Sequence, residues 1–236
     1  MYLKKIVLVS IFVMGMLSAK TQVTFGVHAN GIMTTMEGKT EDEEANFKYR
    51  FSWKIGGLAN IPLTDYISFM PQLNVLSKGA KVEESATEDI FGDPETYSIK
   101  ANFKLTYLEL PLTVIYNSGD ATMGFFVGAG PSVSYGLGGE ISGKVSYTYQ
   151  GETETESFNS NVKFDGDENA DDDDAHFKPF DFGAHIIAGY RLSNGLFINA
   201  HYNHGFSNVS PQDGTTIKNR YFGLGVGYSF SRLSVR

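Results

Sequence analysis

Eight stretches of this chain alternate apolar and polar residues with a period of two, and the links between them alternate strictly between short and long. The segments read as 22–33, 50–63, 66–78, 103–116, 122–137, 178–192, 195–207 and 219–230. A period of two places successive side chains on opposite faces, which is the signature of a strand and not of a helix. The short links are Ile61-Pro62-Leu63-Thr64-Asp65-Tyr66, Asn117-Ser118-Gly119-Asp120 and Ser193-Asn194-Gly195, all tight-turn sequences. The long ones cover about 34–49, 79–102, 138–177 and 208–218. An antiparallel meander built this way carries every short turn at one end and every long loop at the other.

The two faces differ in chemistry. In 219–230, Phe222, Leu224, Val226, Tyr228 and Phe230 oppose Tyr221, Gly223, Gly225, Gly227 and Ser229. In 178–192, Phe180, Phe182, Ile186 and Tyr190 oppose Asp181, Gly183, His185 and Arg191. Soluble eight-strand barrels of the lipocalin type keep a charged face in water, and here the second face is mostly Gly, Ser and Asn. Reversing the sense, with the apolar face in lipid and the small polar face in a narrow lumen, accounts for both. Aromatic residues near the segment ends (Trp53, Tyr66, Tyr107, Tyr116, Tyr135, Phe180, Tyr190, Phe206, Tyr221 and Phe230) would form two interfacial girdles. The expected fold is all-β: an eight-stranded antiparallel up-and-down transmembrane β-barrel.

The start of the chain reads as an address. Lys4-Lys5 precede an apolar run from Ile6 to Leu17, followed by small residues at Ser18-Ala19. That is a secretory signal peptide, cleaved between Ala19 and Gln22, and too short to span a bilayer. Residues 1–21 are thus the signal and 22–236 the barrel domain, with an outer membrane of a Gram-negative bacterium as destination. Cysteine is absent, which excludes lipid-modified cysteine anchors and thiol chemistry. The formal charge of −8 excludes a nucleic-acid partner. The expected partners are outer-membrane lipids and lipopolysaccharide, the barrel-insertion machinery, and a surface partner the sequence does not identify.

Several motifs resemble one family. Phe69-Met70-Pro71-Gln72-Leu73 with Ser77-Lys78-Gly79-Ala80, Tyr107-Leu108-Glu109-Leu110-Pro111-Leu112, and Gly128-Ala129-Gly130-Pro131-Ser132-Val133 occur in order. Phe180-Asp181-Phe182-Gly183 with Gly189-Tyr190, and Asn219-Arg220-Tyr221-Phe222-Gly223-Leu224 with Gly227-Tyr228-Ser229-Phe230, follow. Together they resemble the PorT-like outer-membrane β-barrel proteins of Bacteroidetes, over about 23–230. The resemblance implies an eight-stranded outer-membrane barrel. The chain departs from it in the tail, Ser231 to Arg236, which extends past the last aromatic residue.

Residues able to carry chemistry are few. The three longest links hold 22 of the 27 acidic residues against six lysines. Within them Asp165, Asp167, Asn169 and Asp171 place oxygen ligands at every second position, as a calcium loop does. Ala170 stands where an EF-hand needs its turn glycine, and His176 where it needs its bidentate glutamate, so only a weakly bound Ca2+ is expected. No other cofactor is expected. Alternation points Lys54, Glu109, Asp181, Arg191, His28, His185 and His201 into the lumen, with Lys54 or Arg191 as the partner that a buried Glu109 requires. No Gly-x-Ser-x-Gly elbow is present. The leading expectation is a non-enzymatic barrel presenting acidic surface loops. The alternatives are a narrow solute or ion pore, a lipid-modifying barrel enzyme and a soluble lipocalin-like carrier.

Overall fold

The computed structural model describes residues 23–40, 44–90, 93–119, 123–168 and 172–230. The signal-peptide reading and the tail beyond Phe230 lie outside them. The long strands are β1 (Thr24–Lys39), β4 (Arg50–Pro62), β5 (Ile67–Lys78), β7 (Asp93–Asn117), β8 (Gly124–Tyr149), β11 (Phe180–Arg191), β12 (Leu196–Gly205) and β13 (Thr216–Ser229). Two further strands, β6 (Lys81–Ile90) and β9 (Glu152–Lys163), and three two-residue stretches, β2 (Glu44–Ala45), β3 (Phe47–Lys48) and β10 (Ala175–His176), complete one sheet.

Pairing is antiparallel from each long strand to the next, and β13 returns to β1, with Met33 facing Phe222 on one side and Phe51 on the other. The sheet therefore closes on itself and leaves no free edge around the ring. Where the sequence suggests eight strands, the described residues contain thirteen strand stretches.

Most of the additional strand lies in two links expected to be loops. β6 pairs with β7 from Lys81↔Asn102 to Ile90↔Asp93, and β8 pairs with β9 from Gly139↔Val162 to Tyr149↔Glu152. β7 and β8 also stay paired out to Thr96↔Thr148. The result is a four-stranded wing, in the order β6-β7-β8-β9, that continues the barrel wall beyond its rim. Its β8–β9 hairpin closes through Gln150 (φ 50°) and Gly151 (φ 83°), the two left-handed residues of a two-residue hairpin turn.

The exterior of the ring is apolar, with Phe51 73% and Leu224 70% exposed and Trp53, Ile55, Phe125 and Ile198 beside them on the same surface. No helix among the described residues is long and apolar enough to cross a membrane, which says nothing about strands. The interior is layered. Leu58, Met70, Ile115, Phe126, Ile187 and Phe197 fill the end where the short turns lie. Ile32, Met36, Leu76, Leu105, Tyr107 and Tyr221 pack at the other end. There Val162, Phe177 and Val209 close over the mouth, fixed by Phe177 N donating to Lys163 O and Lys178 N to Val209 O. Tyr107 and Tyr221, expected in the aromatic girdles, are instead buried inside. Both belong to inward rows of their strands, and a phenol is accepted there because each hydroxyl finds a polar neighbour.

Candidate functional site

Between the two apolar layers lies a charged belt. Glu109 on β7 is fully buried, and its carboxylate accepts from the Tyr221 hydroxyl at 2.6 and 2.8 Å. Lys54 Nζ on β4 lies 3.4 Å from Glu109 Oε2 and donates to Tyr221 Oη at 3.2 Å. Lys78 Nζ on β5 lies 3.8 Å from Glu109 Oε1 and donates to Asp181 Oδ2 at 2.9 Å and to Ser134 Oγ at 2.8 Å. Asn219 Nδ2 donates to the same Asp181 oxygen at 3.1 Å, and Ser207 Oγ to the other at 3.2 Å. Lys78 also stands over the Tyr107 ring, 4.8 Å from its centroid. Two ammonium and two carboxylate groups thus balance in one chain of contacts across the lumen, with tyrosine and amide donors taking up remaining lone pairs.

Of the partners expected for Glu109, Lys54 is within contact distance. Arg191 stands instead towards the short-turn end, its guanidinium 5.4 Å from the Phe126 ring centroid. His185 and His201 lie with ring centroids 5.7 Å apart, and His201 meets the Tyr221 ring edge-on at the same separation. His201 Nδ1 pairs with Asn199, and His28 Nδ1 with Asn30. Neither His185 nitrogen has a hydrogen-bond partner. No serine or carboxylate is hydrogen-bonded to these imidazoles, and no group of three or more metal-ligating residues converges among the described residues. The sequence pattern leaves Lys78 out of the lumen network and assigns Tyr221 to an aromatic girdle. Counting by twos from Gln72 and Asn74 leads to Lys78, and Tyr221 shares its face with Gly223 and Gly225, so the signal was present for both.

A cavity of about 10 Å³ adjoins the belt, lined by His28, Lys54, Phe126, Arg191, Phe197 and Asn199 among others. A cavity of that size has room for about one water molecule.

Of the four residues expected to hold calcium, Asn169 and Asp171 lie outside the described residues. Asp165 Oδ1 accepts from Asp167 N and lies 2.8 Å from His176 Nδ1, and the opposite ring nitrogen lies 2.9 Å from Asp172 Oδ1. Lys163 Nζ reaches Asp172 at 2.5 Å and Asp174 at 2.8 Å. Asp172 and Asp165, one on each side, raise the His176 imidazole above its ordinary value. Lys163 first, then His176, hold Asp172 well below the usual carboxylate range, and His176 lowers Asp165. Asp165, Asp172 and Asp174, in a link expected to be a loop, are tied back to the wing by these pairs.

Residues 17–210 match a family model described as outer membrane protein beta-barrel domain. Among solved structures, Ail, the attachment invasion locus protein of Yersinia pestis, is 14% identical with a TM-score of 0.38, over 88% of this chain and 99% of that one. OprG from Pseudomonas aeruginosa is 8% identical with a TM-score of 0.36, over 89% and 97%. Neisserial surface protein A is 11% identical with a TM-score of 0.33, over 87% and 97%. No curated protein matches.

Proposed function

The chain belongs to the outer membrane protein beta-barrel domain family, and from that premise we propose a non-enzymatic outer-membrane scaffold that displays the β6–β9 wing at the cell surface. The ring of eight long strands is the part that crosses the membrane, with the short turns in the periplasm and the wing outside. Residues 1–21 direct export and are removed. Within the family, the motifs around Glu109 and Gly130 favour a PorT-like member.

The observation that carries the reading is the filling of the lumen. Apolar layers lie above and below a charge-balanced belt, and the adjoining cavity holds about 10 Å³. That supports a barrel whose interior serves stability and whose function lies in what it presents. The wing supports the same view, since β7 and β8 are 25 and 26 residues long, more than twice the roughly 9–11 residues a crossing strand needs.

The test is outer-membrane fractionation followed by electrophoresis of heated and unheated samples, together with external protease on intact cells. The expected result is heat-modifiable migration in the outer-membrane fraction, cleavage at the Gln150-Gly151 turn from outside, and no conductance in planar bilayers. Recovery as a soluble periplasmic protein, or steady channel currents, would overturn it.

A further inference from the structure

The two faces of the wing differ sharply. On the face that continues the lipid-facing wall, cross-strand rows read Glu83-Lys100-Lys144-Ser157, Ser85-Ser98-Ser146-Thr155 and Thr87-Thr96-Thr148-Thr153. Their hydroxyls bond to one another, as Thr87 to Thr96, Ser146 to Thr155 and Thr148 to Thr153. On the face that continues the lumen wall, the rows read Val82-Ala101-Gly143-Phe158, Glu84-Ile99-Val145-Glu156 and Ala86-Tyr97-Tyr147-Glu154, with Tyr149 opposite Glu152 beyond them. Tyr97, Tyr147, Tyr149 and Phe158 are 46%, 41%, 40% and 36% exposed. The lysines of these rows lie on one face, and on the other a central stripe of aromatic and aliphatic side chains is flanked by glutamates on both edge strands.

We propose that this stripe is a docking surface for a cationic amphipathic polypeptide segment, one whose apolar ridge is bordered by Lys or Arg. The inference rests on the reading above that the wing is displayed outside the cell. Four strands about 4.8 Å apart and three rows about 7 Å apart give a patch on the order of 300 Å², enough for one short segment. Tyrosine supplies large, amphipathic contact area at low entropy cost, and the glutamate borders select against the wrong charge. A second copy docking face to face would set Glu152, Glu154 and Glu156 against glutamates, and anionic lipid headgroups meet the same repulsion.

The experiment uses the full-length barrel in zwitterionic nanodiscs and an 18-residue helical peptide of Leu and Lys with one apolar face, titrated by fluorescence anisotropy against empty nanodiscs. Saturable binding to the barrel is expected, weakened at least about tenfold by Tyr97→Ser with Tyr147→Ser. Glu152→Gln with Glu154→Gln and Glu156→Gln should weaken it comparably and flatten its salt dependence. Lys100→Gln with Lys144→Gln, on the opposite face, should leave binding within about twofold. Equal binding of a peptide with Glu in place of Lys, indifference to the tyrosine variants, or self-association that the tyrosine variants abolish would each overturn the proposal. Heat-modifiable migration of every variant separates the cases: no binding by an intact barrel sinks only the docking surface, whereas loss of the migration shift sinks the barrel reading.

Discussion

Removing the carboxylate of Glu109 tests the lumen most directly. Its side chain is fully buried, and Lys54 and Lys78, each 1% exposed, lie 3.4 and 3.8 Å away. After Glu109→Ala, Lys78 keeps Asp181 at 2.9 Å and Ser134 at 2.8 Å, but Lys54 is left with the Tyr221 hydroxyl alone. An uncompensated buried charge costs about 3–5 kcal/mol, so Glu109→Ala should lose that much. Glu109→Gln keeps an acceptor for Tyr221 and should lose about 2–3 kcal/mol, the worth of hydrogen bonds to a charged group. Removing both members of the pair, as Lys54→Met with Glu109→Leu, removes the orphaned charge but leaves the buried Tyr221 hydroxyl without its partners, so it should cost only about 1–3 kcal/mol, less than Glu109→Ala alone. The assay is urea unfolding in lipid vesicles followed by the emission of Trp53, the one tryptophan of the chain, which sits on the outer face. A cost below about 1 kcal/mol for Glu109→Ala, or a double variant that costs the sum of its parts, would refute a dry, coupled pair.

Other outcomes follow from the same geometry. A Cβ at Gly130 would sit 1.9 Å from Leu112 O, whereas one at Gly57 meets nothing closer than 3.7 Å; Gly130→Ala should cost roughly 1–3 kcal/mol or block assembly, and Gly57→Ala should be nearly silent on the same unfolding curve. Phe126→Ala and Phe197→Ala, whose rings meet at 6.3 Å in the lower layer, should each lose about 3–5 kcal/mol yet stay silent in planar bilayers, because Val162, Phe177 and Val209 still close the mouth. His176 is raised by its two aspartates, so its contribution is complete below the free-imidazole value and fades as pH rises through the raised one. Asp172 and Asp165 are lowered, so theirs holds above the free-carboxylate value and fades as pH falls through the lowered one. Limited proteolysis of 165–176 should therefore be slowest between these limits and accelerate on either side, and His176→Gln should remove the alkaline acceleration.

The ring was legible because its two solvents differ so much. Along β13, lipid on one side and a narrow lumen on the other force Phe222, Leu224, Val226 and Tyr228 to alternate with Gly223, Gly225 and Gly227, and any slip by one residue would invert the wall. Inside the lumen the pattern gives the face but not the partner. Glu109 and Lys54 read as inward from β7 and β4 separately. That β5 brings Lys78 between Glu109 and Asp181 depends on strand order and stagger, which no single strand encodes.

The wing was missed for a related reason. Beyond the rim both faces of β7 and β8 meet water, so the contrast that marks a membrane strand disappears while the period of two persists. Ser98 and Lys100 alternate with Tyr97 and Ile99, and Ser146 and Lys144 with Tyr147 and Val145, in segments whose acid content reads as loop. Polarity there reads as irregularity. The surviving alternation has a consequence of its own, because a sheet wetted equally on both sides has no need to keep its rings together. Here Tyr97, Tyr147, Ile99 and Val145 share one face and the serines and threonines the other. Solvation alone would scatter exposed tyrosines over both surfaces, so their segregation calls for a contact that water does not supply.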